Sequence, residues 1–175
     1  MKILGLIGGT SWVSTVDYYR YINLGINEQL GWIDYSHCIL HSFSYGAIKR
    51  LMDAGQQSQV LDLFIKACLN MKEGGAEGIV LCANTMHMFA GDIEKATGLP
   101  VIHIAEATAG EINKQGLTKV ALLGTKPTME KDFYKDKLTA AGITTLIPAD
   151  EDRDFIHATI FEELGKGEFT RKEVV

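Results

Sequence analysis

Long apolar runs, prolines and cysteines are all scarce in this chain of 175 residues, and each scarcity excludes something. No apolar stretch approaches the roughly 20 residues that a membrane-spanning helix needs. The opening Met1-Lys2-Ile3-Leu4-Gly5-Leu6-Ile7-Gly8-Gly9 is too short for a signal core, breaks on glycines and shows no small-residue cleavage site. Three prolines, 46% hydrophobic and 22% charged residues exclude the collagen-like, coiled-coil and disordered classes. The three cysteines, Cys38, Cys68 and Cys82, are odd in number and form no CxxC pair. That argues against a disulfide framework or a zinc ribbon and for a reducing compartment. Seventeen basic against twenty-two acidic residues give a net charge of −5, with no basic block or stripe. A nucleic-acid partner is therefore not expected. The composition fits a soluble, cytoplasmic protein that handles small molecules and folds as one domain or two small ones.

What is present is an alternation of strands and helices. Lys2–Ile7 is a short apolar run of the kind that forms a buried parallel strand. Ser14 reads as an N-cap, with Asp17 three residues on. Thr15–Leu30 has helical spacing, with Val16, Tyr19, Ile22 and Ile26 on one stripe, and Gly31 ends it. A strand over Cys38–Phe43 and helices over Gly46–Ala54 and Ser58–Lys72 follow. The latter turns Leu61, Phe64, Ile65, Cys68 and Met71 to one face before Gly74-Gly75. The alternation continues with strand Glu77–Leu81, helix Thr85–Ala96 and strand Val101–Ile104, then helix Glu106–Lys114 and strand Lys119–Leu123. Helix Thr128–Ala141, strand Ile143–Ile147 and helix Asp152–Leu164 complete it, and a charged segment from Lys166 opens a further helix. This order predicts an α/β fold with mostly parallel sheets. Both the first and the fifth strand run into glycine, threonine and a hydroxyl residue that opens a helix, a faint internal repeat. The turn at Gly98-Leu99-Pro100 then divides the chain into residues 1–98 and 99–175.

The strongest chemical signal is Leu81-Cys82-Ala83-Asn84-Thr85-Met86-His87. A cysteine at the C-terminal tip of a parallel strand, at the mouth of a helix, meets amides and a dipole that favour a thiolate. The same amides, with Asn84 and Thr85, can bind a carboxylate. A free cysteine is more commonly a small buried hydrophobe, and Cys38 and Cys68 are read that way. Gly5-Leu6-Ile7-Gly8-Gly9-Thr10 has neither the GxGxxG spacing of a dinucleotide site nor the lysine of a P-loop. It reads either as a plain strand–helix turn or as backbone approaching a small anion, with Thr10, Ser11 and Ser14 as hydroxyl donors. Gly124-Thr125 is a second such turn. His87 follows Cys82 by five residues, a poor spacing for a shared metal, and reads as a packing residue. No metal site is expected. Asp150-Glu151-Asp152 reads as a solvated helix start.

Several motifs together resemble the aspartate/glutamate racemase family, in particular its broad-specificity bacterial branch. They are GLIGGTSWVST at 5–15, YYRYIN at 18–23, GAEGIVLCANTMH at 75–87, LPVIHIAEAT at 99–108, VALLGTKPTMEKDFY at 120–134 and IFEELGKGEFT at 160–170. The resemblance implies two Rossmann-like lobes, the second incomplete here. It also implies cofactor-independent racemisation of a small amino acid by two cysteines, one taking the Cα proton and one delivering a proton to the other face. It makes Cys82 the first of these, with Ala83, Asn84 and Thr85 binding the α-carboxylate, helped by Thr10, Ser11 and Thr125. The family's second cysteine lies in a Gly-Cys-Thr-Glu stretch beyond Val175, and no cysteine follows Cys82 here. The expectation is a truncated racemase whose catalysis lacks its second thiol. The alternative is a non-catalytic or one-base remnant that binds a small carboxylate. Thr10 stands where relatives tend to have Met, Val13 where they have Glu, and Met52 where they often place a polar contact. An incomplete second lobe exposes a sheet edge, so a homo-oligomer is expected.

Overall fold

The computed structural model describes residues 1–168. β1 (Leu4–Gly8) is one of the two inner strands of the first sheet. β2 (Cys38–Ser42) pairs on one side of it and β3 (Gly78–Leu81) on the other, and β4 (Val101–Ile102) lies beyond β3. All pairings are parallel, and parallel sheets need apolar cover on both faces. Successive side chains point to opposite faces. Ile7, Ile79 and Leu81 enter a large core with Val60, Phe64, Cys68, Met71 and Ile93. Those partners come from α3 (Gln57–Glu73) and α4 (Ala90–Thr97), and Ile48 of α2 (Tyr45–Asp53) joins them. Leu6, Val80 and Cys82 face the other way, where Tyr18 and Ile22 of α1 (Trp12–Leu30) cover them.

The turn from β1 into α1 is held by close backbone contacts. Gly9 has φ +81, and a Cβ there would lie 2.1 Å from the Phe43 carbonyl oxygen. At Gly8 a Cβ would come 2.4 Å from Thr15 Cγ2. The Gly9 N–H donates to Thr15 Oγ1 (3.0 Å), and the Phe43 N–H donates to the Gly8 carbonyl (3.0 Å). These glycines are needed because helix and neighbouring strand press on the same two residues.

Several boundaries differ from the expectation, each for a local reason. Ser11, not Ser14, caps α1: its backbone is extended (φ −162, ψ 113) and its Oγ accepts from the Ser14 N–H. The stripe of Val16, Tyr19, Ile22 and Ile26 is not the buried face, since Val16 and Tyr19 are 54% and 50% exposed. The helix is rotated so that Ser14, Thr15, Tyr18 and Ile22 face inward, because the Ser14 and Thr15 hydroxyls bond to backbone there. The helix after Cys82 starts as a 3-10 turn, Thr85–Phe89, before α4 begins. The chain divides into two compact units between Ile102 and His103, and Val101 and Ile102 go with the first because they pair with Ile79 and Val80.

The second unit holds a parallel pair, β5 (Lys119–Ala121) and β6 (Thr144–Leu146), with α5 (Ile104–Lys114), α6 (Lys126–Glu130), α7 (Asp132–Ala140) and α8 (Asp150–Glu162). The α/β class with parallel sheets is thus what the structure shows. His103 caps α5, its Nδ1 accepting from the Ala105 N–H at 3.2 Å. One helix over 128–141 was expected, but Lys131 is extended (φ −77, ψ 157) and separates α6 from α7. In one continuous helix Met129 and Leu138 would point about 180° apart, yet both are at most 1% exposed. The break lets both be buried. α8 is tied down by Arg153, which donates to Glu130, Asp150 and the Pro148 carbonyl. The tail expected to open a further helix lies outside the described residues from 169 on. No helix of the described residues is long and apolar enough to cross a membrane.

Two glycines with positive φ separate crowding from backbone strain. Gly98 (φ +68) ends α4 in the left-handed region, with only Lys72 Nζ near a built Cβ, at 3.6 Å. Gly98→Ala is expected to cost about 1 kcal/mol, and Gly9→Ala about 3 kcal/mol or more because the backbone of Phe43 cannot yield. Urea unfolding of the two variants measures the difference.

Candidate active site

Cys82 is the first residue beyond β3. Its N–H donates to the Ile7 carbonyl (2.8 Å), which keeps it in register with β1 at the C-terminal end of the sheet. Open α/β sheets bind ligands at that end. Its side chain is 0% exposed, packed with Leu6 and Val80 beneath Tyr18 and Ile22. The chain then emerges: Ala83 is half-buried and Asn84 exposed.

Two side chains hold this emerging loop. Ser14 Oγ lies 2.8 Å from the Cys82 carbonyl oxygen and 3.0 Å from that of Ser11, so its one proton is shared between them. His87 is 2% exposed, with Nδ1 3.0 Å from the Ala83 carbonyl and 3.3 Å from that of Asn84. Carbonyls only accept, so Nδ1 carries the proton. The His87 N–H also donates to the Asn84 carbonyl at 3.1 Å.

The electrostatics differ from the sequence expectation. A helix N-terminus was expected to favour a thiolate at Cys82. The structure places a 3-10 turn there, and Asn84 makes no side-chain cap. Burial, reinforced by the nearby Cys38 thiol, pushes the Cys82 thiol up to about 12. In this conformation the Cys82 thiol is held in its neutral form by its burial. Cys68, packed in the larger core, is also pushed up, to about 11, by burial.

Of the residues singled out from the sequence, the first unit gathers most at one end of its sheet. Thr10, buried, and Ser11, half-buried, follow β1, while Cys82, Ala83, Asn84 and Thr85 follow the adjacent β3. Thr125 belongs to the second unit, just before α6, and its hydroxyl lies 3.1 Å from that of Thr128. Sequence reasoning read Ser14 as the N-cap and as a hydroxyl donor to a small anion, and Thr15 as the helix start; the structure has both holding backbone, Ser14 at the Ser11 and Cys82 carbonyls and Thr15 at Gly9 and Ser11. The available signal was the density of hydroxyls directly after Gly8-Gly9. Among the described residues no group of three or more His, Cys, Asp or Glu side chains could hold a metal ion.

The sequence profile of the family described as Asp/Glu/Hydantoin racemase matches residues 7–175. The chain belongs to that family. It is 26% identical over 148 residues to the broad specificity amino-acid racemase RacX of Bacillus subtilis (strain 168), covering 80% of this chain. The chain spans 62% of that relative's length. Among solved structures it is similar to a candidate Asp/Glu racemase from Yersinia pestis, with 46% identity and a TM-score of 0.87 over 98% of this chain and 75% of that one. It is also similar to an aspartate racemase homologue from Pyrococcus horikoshii OT3, with 34% identity and a TM-score of 0.78 over 99% of this chain and 76% of that one.

The buried thiol makes stability fall in alkali. An unfolded cysteine loses its proton near about pH 8.5, whereas folded Cys82 keeps it until about 12. The stabilisation is therefore complete below the unfolded value and is lost as pH rises toward the folded one. Denaturant midpoints of the wild type are expected to fall progressively as pH rises above about 8.5 toward about 12, and those of Cys82→Ala to fall less steeply.

Proposed function

We propose that this chain carries the Cys82 half of a cofactor-independent amino-acid racemase. Membership of the racemase family and the placing of Cys82 at the C-terminal end of the first sheet support this reading. The observation that carries it is the loop directly after β3, which sets a thiol beside amides and hydroxyls in a single turn. In the reaction, the α-carboxylate of an amino acid binds to Ala83, Asn84 and Thr85, with Thr10 and Ser11 supplying further donors. The Cα–H of an amino acid is a very weak acid, so those donors must stabilise an enolate-like transition state. Cys82 serves one face of that carbon, taking a proton as thiolate and returning it as thiol. Transfer at the opposite face needs a second group: Cys68 lies in the core on the other face of the sheet, and Cys38 stands at the N-terminal end of β2, paired with Leu4.

That last observation favours a second reading, in which the chain binds a small carboxylate and exchanges its proton on one face only. Incubation with a panel of L-amino acids in deuterated water separates the two. Exchange of the Cα proton with appearance of the D-enantiomer is the racemase outcome, and Cys82→Ala is expected to lower it by about 10²–10⁴-fold. Exchange with retention is the one-base outcome. No exchange by the folded chain ends the catalytic claim.

Self-association also belongs to this reading. Trp12, Val16, Tyr19 and Leu30 are all at least half exposed and lie along one face of α1. Sedimentation at two protein concentrations is expected to show a dimer or larger species, and Tyr19→Lys to shift it toward monomer.

A further inference from the structure

Resting on the site reading above, we infer that Ser14 and His87 are positioning residues: by holding the carbonyls of Cys82 and Ala83 they aim the amides of Ala83 and Asn84 at the substrate carboxylate. The argument begins with the peptide unit. It is planar and trans, so its C=O and the following N–H point in opposite directions. Ser14 Oγ stands 2.8 Å from the Cys82 carbonyl, which turns the Ala83 N–H away from α1. His87 Nδ1 stands 3.0 Å from the Ala83 carbonyl, which turns the Asn84 N–H away from the buried imidazole. Among the described residues neither of these two N–H groups donates a hydrogen bond. Ala83 is half-buried and Asn84 exposed, so both amides can reach a ligand. Two successive N–H groups set in fixed directions form an anion-binding concavity.

Both anchors are local enough to be specific. Ser14 joins the first turn of α1 to the tip of β3, across 68 residues of sequence. His87 acts from inside the turn that follows, with its ring 2% exposed. Ser14 and His87 meet this loop at its carbonyls, so each acts on the reaction through the loop.

The test follows amide resonances of ¹⁵N-labelled protein titrated with a panel of L-amino acids. In the wild type the Ala83 and Asn84 resonances are expected to move. Ser14→Ala is expected to weaken binding about fivefold, the worth of one hydrogen bond. Ser14→Thr keeps the hydroxyl and is expected to restore it. His87→Leu is expected to weaken binding similarly, and His87→Asn, which places an N–H where Nδ1 stood, to recover it. Should Ser14→Ala fail to fold, the near-isosteric Ser14→Cys replaces it. A folded Ser14→Ala that binds as tightly as the wild type overturns the inference and leaves the site reading standing. So does a loss that Ser14→Thr does not restore. Failure of Ala83 and Asn84 to move in the wild type with every amino acid overturns the site reading, and this inference with it.

Discussion

The first unit depends on how closely the start of α1 approaches the ends of β1 and β3. Gly8 and Gly9 leave no room for a Cβ, and Thr15 fills the space that a side chain on Gly8 would take. Thr15 accepts from the Gly9 N–H and its own hydroxyl donates to the Ser11 carbonyl at 2.7 Å. Ser14, the neighbouring residue, reaches across to the Cys82 carbonyl. Two adjacent hydroxyls thus hold two strand ends. The rotation of α1, the direction of the loop after Cys82 and the thiol's burial under Tyr18 and Ile22 follow from that one contact.

The same contact sets the chemistry of the thiol. A side chain that is 0% exposed among Leu6, Val80, Tyr18 and Ile22 has no water to stabilise a negative charge. Helix ends lower a cysteine's pKa only when their amides point at the sulfur, and here the two residues after Cys82 emerge toward solvent, Ala83 half-buried and Asn84 exposed. Burial therefore outweighs the helix end, and the resting group is a thiol.

The fold class was legible in the order of elements, because alternating apolar strands and amphipathic helices leave a parallel sheet as the economical arrangement. Gly31 and Gly98 marked helix ends, and both have positive φ. What sequence spacing misread was rotation and continuity. The periodicity of α1 contains two apolar stripes, and nothing local says that the one with Val16 and Tyr19 is left half exposed. Nor does composition reveal that Lys131 must break a helix so that Met129 and Leu138 can both be buried.

At the site, sequence alone determined which residues stand together. Cys82, Ala83, Asn84 and Thr85 are consecutive, and a cysteine after an apolar run of four falls at a strand tip by the length of the strand. Tertiary structure decided what those residues are. Ser14 lies 68 positions from Cys82, and only the pairing of β1 with β3 brings its hydroxyl to that carbonyl. The protonation state of the thiol likewise depends on side chains from α1 and β1 that no spacing rule connects to it. Bonding geometry along the chain is local and readable, whereas desolvation is a property of everything packed around a group.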